Sequence, residues 1–128
     1  SNFVNILYKC AMGNLYGTHQ IIANNKVSGC VIATSNGYPE DYEVGHQIQL
    51  ENIEDKNLQI FHSGTSINNS GELVTNGGRV LSIVCQDKDF NSAFEKAYEY
   101  LKKVKFKGIF YRKDIGHQVR ENYKGVRN

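Results

Sequence analysis

The residues best suited to hold a ligand lie together in Thr75-Asn76-Gly77-Gly78-Arg79. Two consecutive glycines let a backbone approach a ligand closely and turn its N–H groups outward. An arginine directly after them can add a two-pronged, charge-assisted grip on a phosphate or carboxylate. The same residues also suit a tight hairpin turn with a surface arginine, and the residue types alone leave both readings open.

No other cluster offers catalysis. There is no GxxxxGK followed by Ser or Thr and no GxGxxG, so the chain has no glycine-rich phosphate loop of its own. Glu40, Asp41 and Glu43 lack the alternating spacing of a calcium loop and read as a solvated turn. His19, His46, His62 and His117 are scattered, with no second ligand one helical turn away. The three cysteines form no CxxC pair, and no serine or cysteine sits at a sharp nucleophile turn. The expectation is therefore no catalytic residue and no metal ligand set within this chain.

The elements that must position the Gly-Gly-Arg turn are short strands and one helix. Phe3, Ile6, Leu7 and Cys10 follow helical spacing up to Gly13. This short helix has no capping residue before it and reads as the last helix of a preceding domain. Ile21-Ile22-Ala23 and the apolar run Gly29 to Ala33 read as strands flanking a polar turn. Asn36-Gly37-Tyr38-Pro39 is a turn holding the single proline. Ile48, Leu50 and Ile53 suggest a short edge strand, and Leu58 to Phe61 another. Ser66 to Gly71 reads as a polar hairpin loop, and Arg79 to Gln86 as the longest strand.

Asp89 is a candidate N-cap. From Phe90 through Ala93, Phe94, Ala97, Leu101 and Val104 runs one apolar stripe, ending in a lysine-rich turn before Gly108. The spacing predicts Phe90, Phe94, Ala97 and Leu101 buried against the strands 29–34 and 79–86. Ile109-Phe110-Tyr111 closes the pattern. Short strands plus one amphipathic helix make an α+β chain, mostly antiparallel, with the helix laid across the sheet.

Bulk properties narrow the class. The 128 residues fit one domain. Fifteen Lys and Arg against 13 Asp and Glu give a net charge of +2, too weak to imply nucleic acid or an anionic membrane. The late cluster Lys102, Lys103, Lys105, Lys107, Arg112, Lys113, Arg120, Lys124 and Arg127 suits a solvated helix end and tail. No apolar stretch approaches the ~20 residues of a membrane span. Cys10, Cys30 and Cys85 sit in apolar runs and read as buried thiols of a reducing, cytoplasmic compartment.

Four segments in order carry a family likeness. They are Asn36-Gly37-Tyr38-Pro39 with Tyr42 and Gly45; Phe61-His62-Ser63-Gly64-Thr65; Thr75-Asn76-Gly77-Gly78-Arg79-Val80-Leu81; and Phe106-Lys107-Gly108-Ile109-Phe110-Tyr111-Arg112-Lys113-Asp114-Ile115-Gly116. Over Gly29 to Gly116 the chain resembles the C-terminal domain of the phosphoribosylamine–glycine ligase (glycinamide ribonucleotide synthetase) family, within the ATP-grasp superfamily. Ser63 stands where the family pattern usually has alanine.

The resemblance implies a half-barrel sheet sandwich of the barrel-sandwich hybrid type with a helix. It implies a parent enzyme of purine biosynthesis that joins glycine to 5-phosphoribosylamine through a glycyl phosphate, yielding glycinamide ribonucleotide, ADP and phosphate. ATP and Mg2+ would be bound mainly by N-terminal and ATP-grasp domains outside this chain, which are its implied partners along with the small-molecule substrates. Residues 1–16 would be the tail helix of the ATP-grasp domain, 17–116 the C-terminal ligase domain, and 117–128 a polar tail. This domain would close one wall of the active site, with Arg79, Gly78, Gly77 and Thr75 facing the phosphoribosyl substrate. His62, Gly64 and Thr65 would shape a turn beside it. Tyr38 and Pro39 would be structural, and Tyr111 and Arg112 would dock against the other domains. The alternative class is a free-standing anion-binding or regulatory α+β module.

Overall fold

The computed structural model describes residues 3–16 and 25–120. Helix α1 spans Phe3–Ala11 and ends as its spacing demands: Gly13 adopts φ 67°, Asn14 N donates to Lys9 O at 2.9 Å, and Gly13 N to Cys10 O at 3.0 Å. These bonds satisfy the last helical carbonyls, and the left-handed residue suits glycine. The helix buries none of its residues. The expected strand Ile21-Ile22-Ala23 lies outside the described residues.

Among the described residues six strands follow: β1 Val27–Ser35, β2 Leu58–His62, β3 Thr65–Ile67, β4 Leu73–Thr75, β5 Arg79–Asp87 and β6 Ile109–Phe110. Four form an antiparallel sheet in the order β2-β5-β1-β6, and β3 pairs with β4. Helix α2, Phe90–Leu101, lies on one face of the larger sheet. The described residues are thus α+β, mostly antiparallel, with two helices.

Alternation in β1 buries Gly29, Val31, Ala33 and Ser35 and leaves Cys30 and Ile32 exposed. This is the pattern of an antiparallel sheet with one face on the core. Phe94, Ala97 and Leu101 are buried against Val31, Ala33, Val80, Leu81, Ile83 and Cys85, with Phe90 half-buried at their edge. Each large side chain so buried contributes roughly 1.5–3 kcal/mol.

Asp89 caps α2: its Oδ1 accepts from Ser92 N at 2.8 Å. That bond holds the Asp89 carboxyl below the usual carboxylate range. Asp89→Ala is expected to lower the melting temperature near neutral pH. Because the folded-state pKa is depressed, the cap's contribution is full above the ordinary carboxylate pKa and disappears as the pH falls through the depressed one. Thermal melts of both proteins at neutral and acid pH check this, and a gap that does not narrow in acid would contradict it.

Several sequence expectations need correction. Helix α2 stops at Leu101, not Val104, so Lys102 and Lys103 follow the helix instead of forming its last turn. The chain tightens there, with Lys103 N bonded to Tyr100 O and Val104 N to Leu101 O. Lys105 then exchanges two bonds with Gln49, 2.8 and 3.0 Å, which draws the chain out of the helix while Val104 stays buried. The segment holding Ile48, Leu50 and Ile53 is no strand. Gln47 bridges Val74 while Gln49 bridges Lys105, and a ladder split between two partners cannot extend.

Ser66 belongs to β3, so the hairpin loop begins at Asn68, whose Oδ1 accepts from Ser70 N and Glu72 N. At nine residues β5 equals β1 and does not exceed it. Of the cysteines only Cys85 is buried; Cys30 lies on the outward face of β1 and Cys10 on the uncovered α1. Among the described residues no helix is long and apolar enough to cross a membrane.

Candidate functional site

The Gly77-Gly78 turn is gripped from three sides. Strand β4 delivers Thr75, which is 1% exposed. Its N donates to His46 O at 2.8 Å, its O accepts from Gly45 N at 2.6 Å, and its hydroxyl accepts from His46 N at 3.1 Å. From the second side Gly64 N donates to Arg79 O at 2.7 Å, and Asn76 N donates to Gly64 O at 2.8 Å. A Cβ on Gly64 would lie 2.6 Å from Arg79 O and 2.8 Å from the Gly77 Cα, so only glycine fits that approach.

From the third side Ser35 ties down both glycine carbonyls. Its Oγ donates to Gly77 O at 3.0 Å and its N to Gly78 O at 2.8 Å. Among the described residues neither glycine amide N–H donates a hydrogen bond. The turn therefore has its carbonyls engaged, with Gly77 half-buried and Gly78 buried under the Tyr38 ring.

Arg79 is aimed outward by a register fault. Thr34 pairs with Arg79 but Ala33 with Leu81, so β5 carries one extra residue. A bulge of this kind bends the strand and re-aims side chains. It lets Val80 and Leu81 both point into the core, fully buried, while Arg79 stays exposed. The Arg79 guanidinium lies over the Tyr38 ring, 5.9 Å from its centroid. Tyr38 in turn packs on Gly78, where a Cβ would overlap the ring. Arg79 and Tyr38 border a largely apolar hollow of about 580 Å³ with Cys30, Ile32, Phe110 and Tyr111. Although Cys30 is exposed by its surface area, partial desolvation by these apolar neighbours pushes its thiol pKa up. Arg112, at the rim, pairs with Asp114 through its Nε at 2.9 Å.

The Asn36–Pro39 turn, with a cis Tyr38-Pro39 peptide, is anchored by the Phe106-Lys107-Gly108 segment. Asn36 N donates to Gly108 O at 2.7 Å, and Lys107 Nζ reaches Glu43 Oε2 at 2.9 Å. His46 Nε2 meets the same carboxylate oxygen at 2.9 Å. Hydrogen bonds from Lys107 and then His46 hold the Glu43 carboxyl below the usual range.

The structure thus brings Thr75, Gly77, Gly78, Arg79 and Gly64 into one contact network. His62 and Thr65 flank it, their side chains bonded to each other at 3.1 Å. Thr75 has its hydroxyl and backbone taken up internally, so it can reach a ligand only through the turn it supports. Sequence reasoning did not single out Ser35, and it gave Tyr38 a purely structural part. A hydroxyl at the last position of a strand, just before a glycine turn, was the available signal for Ser35. Among the described residues no three of His, Cys, Asp and Glu gather to hold a metal.

All four sequence segments converge here, and residues 28–118 match the family described as phosphoribosylglycinamide synthetase, C domain. The chain belongs to that family. Its relatives include the bifunctional purine biosynthetic protein of Schizosaccharomyces pombe, 40% identical over 93% of this chain and 15% of that protein. The phosphoribosylamine–glycine ligase of Nostoc is 36% identical over 89% of this chain and 27% of the ligase. The crystal structure of phosphoribosylamine–glycine ligase from Thermotoga maritima superposes with a TM-score of 0.71 at 33% identity, covering 89% of this chain and 27% of that one. A synthetase C domain of this family therefore spans only 15 to 27% of these relatives.

Proposed function

We propose that this chain is the C-terminal domain of a phosphoribosylamine–glycine ligase of purine biosynthesis. The complete protein would consume ATP, glycine and 5-phosphoribosylamine and release glycinamide ribonucleotide, ADP and phosphate. The observation that carries this reading is the match of residues 28–118 to the synthetase C domain, together with an exposed Arg79 set beside the Gly77-Gly78 turn, where its guanidinium can meet an anionic group. On this reading Arg79, Gly78 and Gly77 contact the phosphate of the phosphoribosyl substrate, and Thr75, His62, Gly64 and Thr65 shape the turn.

ATP and Mg2+ are assigned to the N-terminal and ATP-grasp domains of the same protein. On this reading residues 1–16 are the tail helix of the ATP-grasp domain, 17–116 the C-terminal ligase domain and 117–128 a polar tail. The ligase domain's sheet and amphipathic helix are assigned to the barrel-sandwich hybrid type. Exposed thiols at Cys10 and Cys30, unpaired, favour a reducing cytoplasm. The small share of each relative that this chain covers favours a ligase domain over a free-standing anion-binding module.

The test is phosphate release from glycine, phosphoribosylamine and ATP. The 128 residues alone are expected to give none above background, and the full-length protein to turn over. Turnover by the isolated domain would defeat the assignment of ATP and Mg2+ to other domains.

A further inference from the structure

We propose that Tyr38 is a positioning residue for Arg79, holding its guanidinium in place through the face of its ring. This rests on the role given to Arg79 above. Three contacts support it. The Tyr38 ring packs so closely on Gly78 that a Cβ there would overlap it, which places the ring beside the residue preceding Arg79. The guanidinium lies 5.9 Å from the ring centroid, within cation–π range. The Tyr42 ring backs Tyr38 at 6.1 Å and 58°.

The backbone binds the same groups. Tyr38 N donates to Ser35 O at 3.2 Å, and Ser35 is the residue that holds the carbonyls of Gly77 and Gly78. One short segment, Ser35 to Tyr38, thus sets both the turn and the platform for its arginine. An arginine in solvent samples many rotamers, and a ring under its planar head narrows them before a ligand arrives. A side chain pre-ordered in this way lowers the cost of binding without touching the ligand. The ring face makes the contact, so a phenylalanine retains it and an aliphatic side chain does not.

The experiment is a double-mutant cycle in the full-length ligase, with kcat/KM measured for phosphoribosylamine and for ATP. Tyr38→Leu is expected to lower kcat/KM for phosphoribosylamine about three- to tenfold, the scale of a partly desolvated cation–π contact, and to leave KM for ATP unchanged. Tyr38→Phe should recover most of that loss. In the Arg79→Ala background, Tyr38→Leu should cost nothing further. An equal loss in both backgrounds would overturn the inference while leaving the role of Arg79 intact. No loss from Arg79→Ala itself would overturn the site reading and this inference with it. Should Tyr38→Leu not fold, phenylalanines of increasing fluorination at position 38 keep the ring's shape and drain its face of electrons. A stepwise fall in kcat/KM supports the platform, and a flat series overturns it.

Discussion

In the full-length ligase, Arg79→Ala should reduce kcat/KM for phosphoribosylamine by about ten- to a hundredfold or more. A charge-assisted hydrogen bond contributes roughly 1.5–3 kcal/mol. Each decade of kcat/KM corresponds to roughly 1.4 kcal/mol. The arginine is exposed, carried outward by the bulge, and set directly after two glycines whose amides donate to no group among the described residues. Arg79→Lys should restore only part of the loss, since an ammonium cannot present the planar fork. If Arg79 were only a surface turn residue, both substitutions would change activity less than about twofold, as surface changes commonly do. Steady-state kinetics with each substrate varied in turn separates these cases. A loss confined to ATP would place the arginine on another ligand.

The largest expected effect on stability is at Phe94. The ring sits between α2 and the sheet, 6% exposed, and two glycines make room for it. A Cβ on Gly29 would come within 3.2 Å of the ring, and one on Gly116 would overlap it. Gly116 has φ 78°, so its backbone also favours glycine. The Arg120 guanidinium lies over the ring, 5.9 Å from its centroid. Phe94→Ala is therefore expected to cost about 3–5 kcal/mol, the usual loss for a buried phenylalanine. For a domain with a total stability of roughly 5–15 kcal/mol this moves the chain close to unfolding at ordinary temperatures. Urea denaturation of the 128-residue chain and its variant measures it. A loss below about 1 kcal/mol would show that the site collapses around the gap.

Much of the architecture was legible in local residue patterns. Continuous apolar runs bounded by turn residues placed β1 and β5, because such short runs suit strands packed on a core. The cap at Asp89 and the buried Phe94, Ala97 and Leu101 followed from spacing, since a helix repeats its faces every few residues whatever lies beneath. Local pattern misplaced the helix end and the segment around Ile48. Both depend on Gln49 and Lys105, 56 positions apart by their numbers, finding each other.

Residue types by themselves determined that Gly77-Gly78-Arg79 could meet an anion, because glycine backbone and guanidinium chemistry are local properties. Only the tertiary structure decided the rest of the site. It brought Gly64 against Gly77, put Ser35 on both glycine carbonyls, laid Tyr38 over Gly78 and slipped the register of β5 so that Arg79 faces outward. Each of these is a contact between segments distant along the chain. Which partner satisfies a backbone group, and where a strand takes up an extra residue, is settled by the packing of the whole sheet on α2, and no window of sequence contains that information.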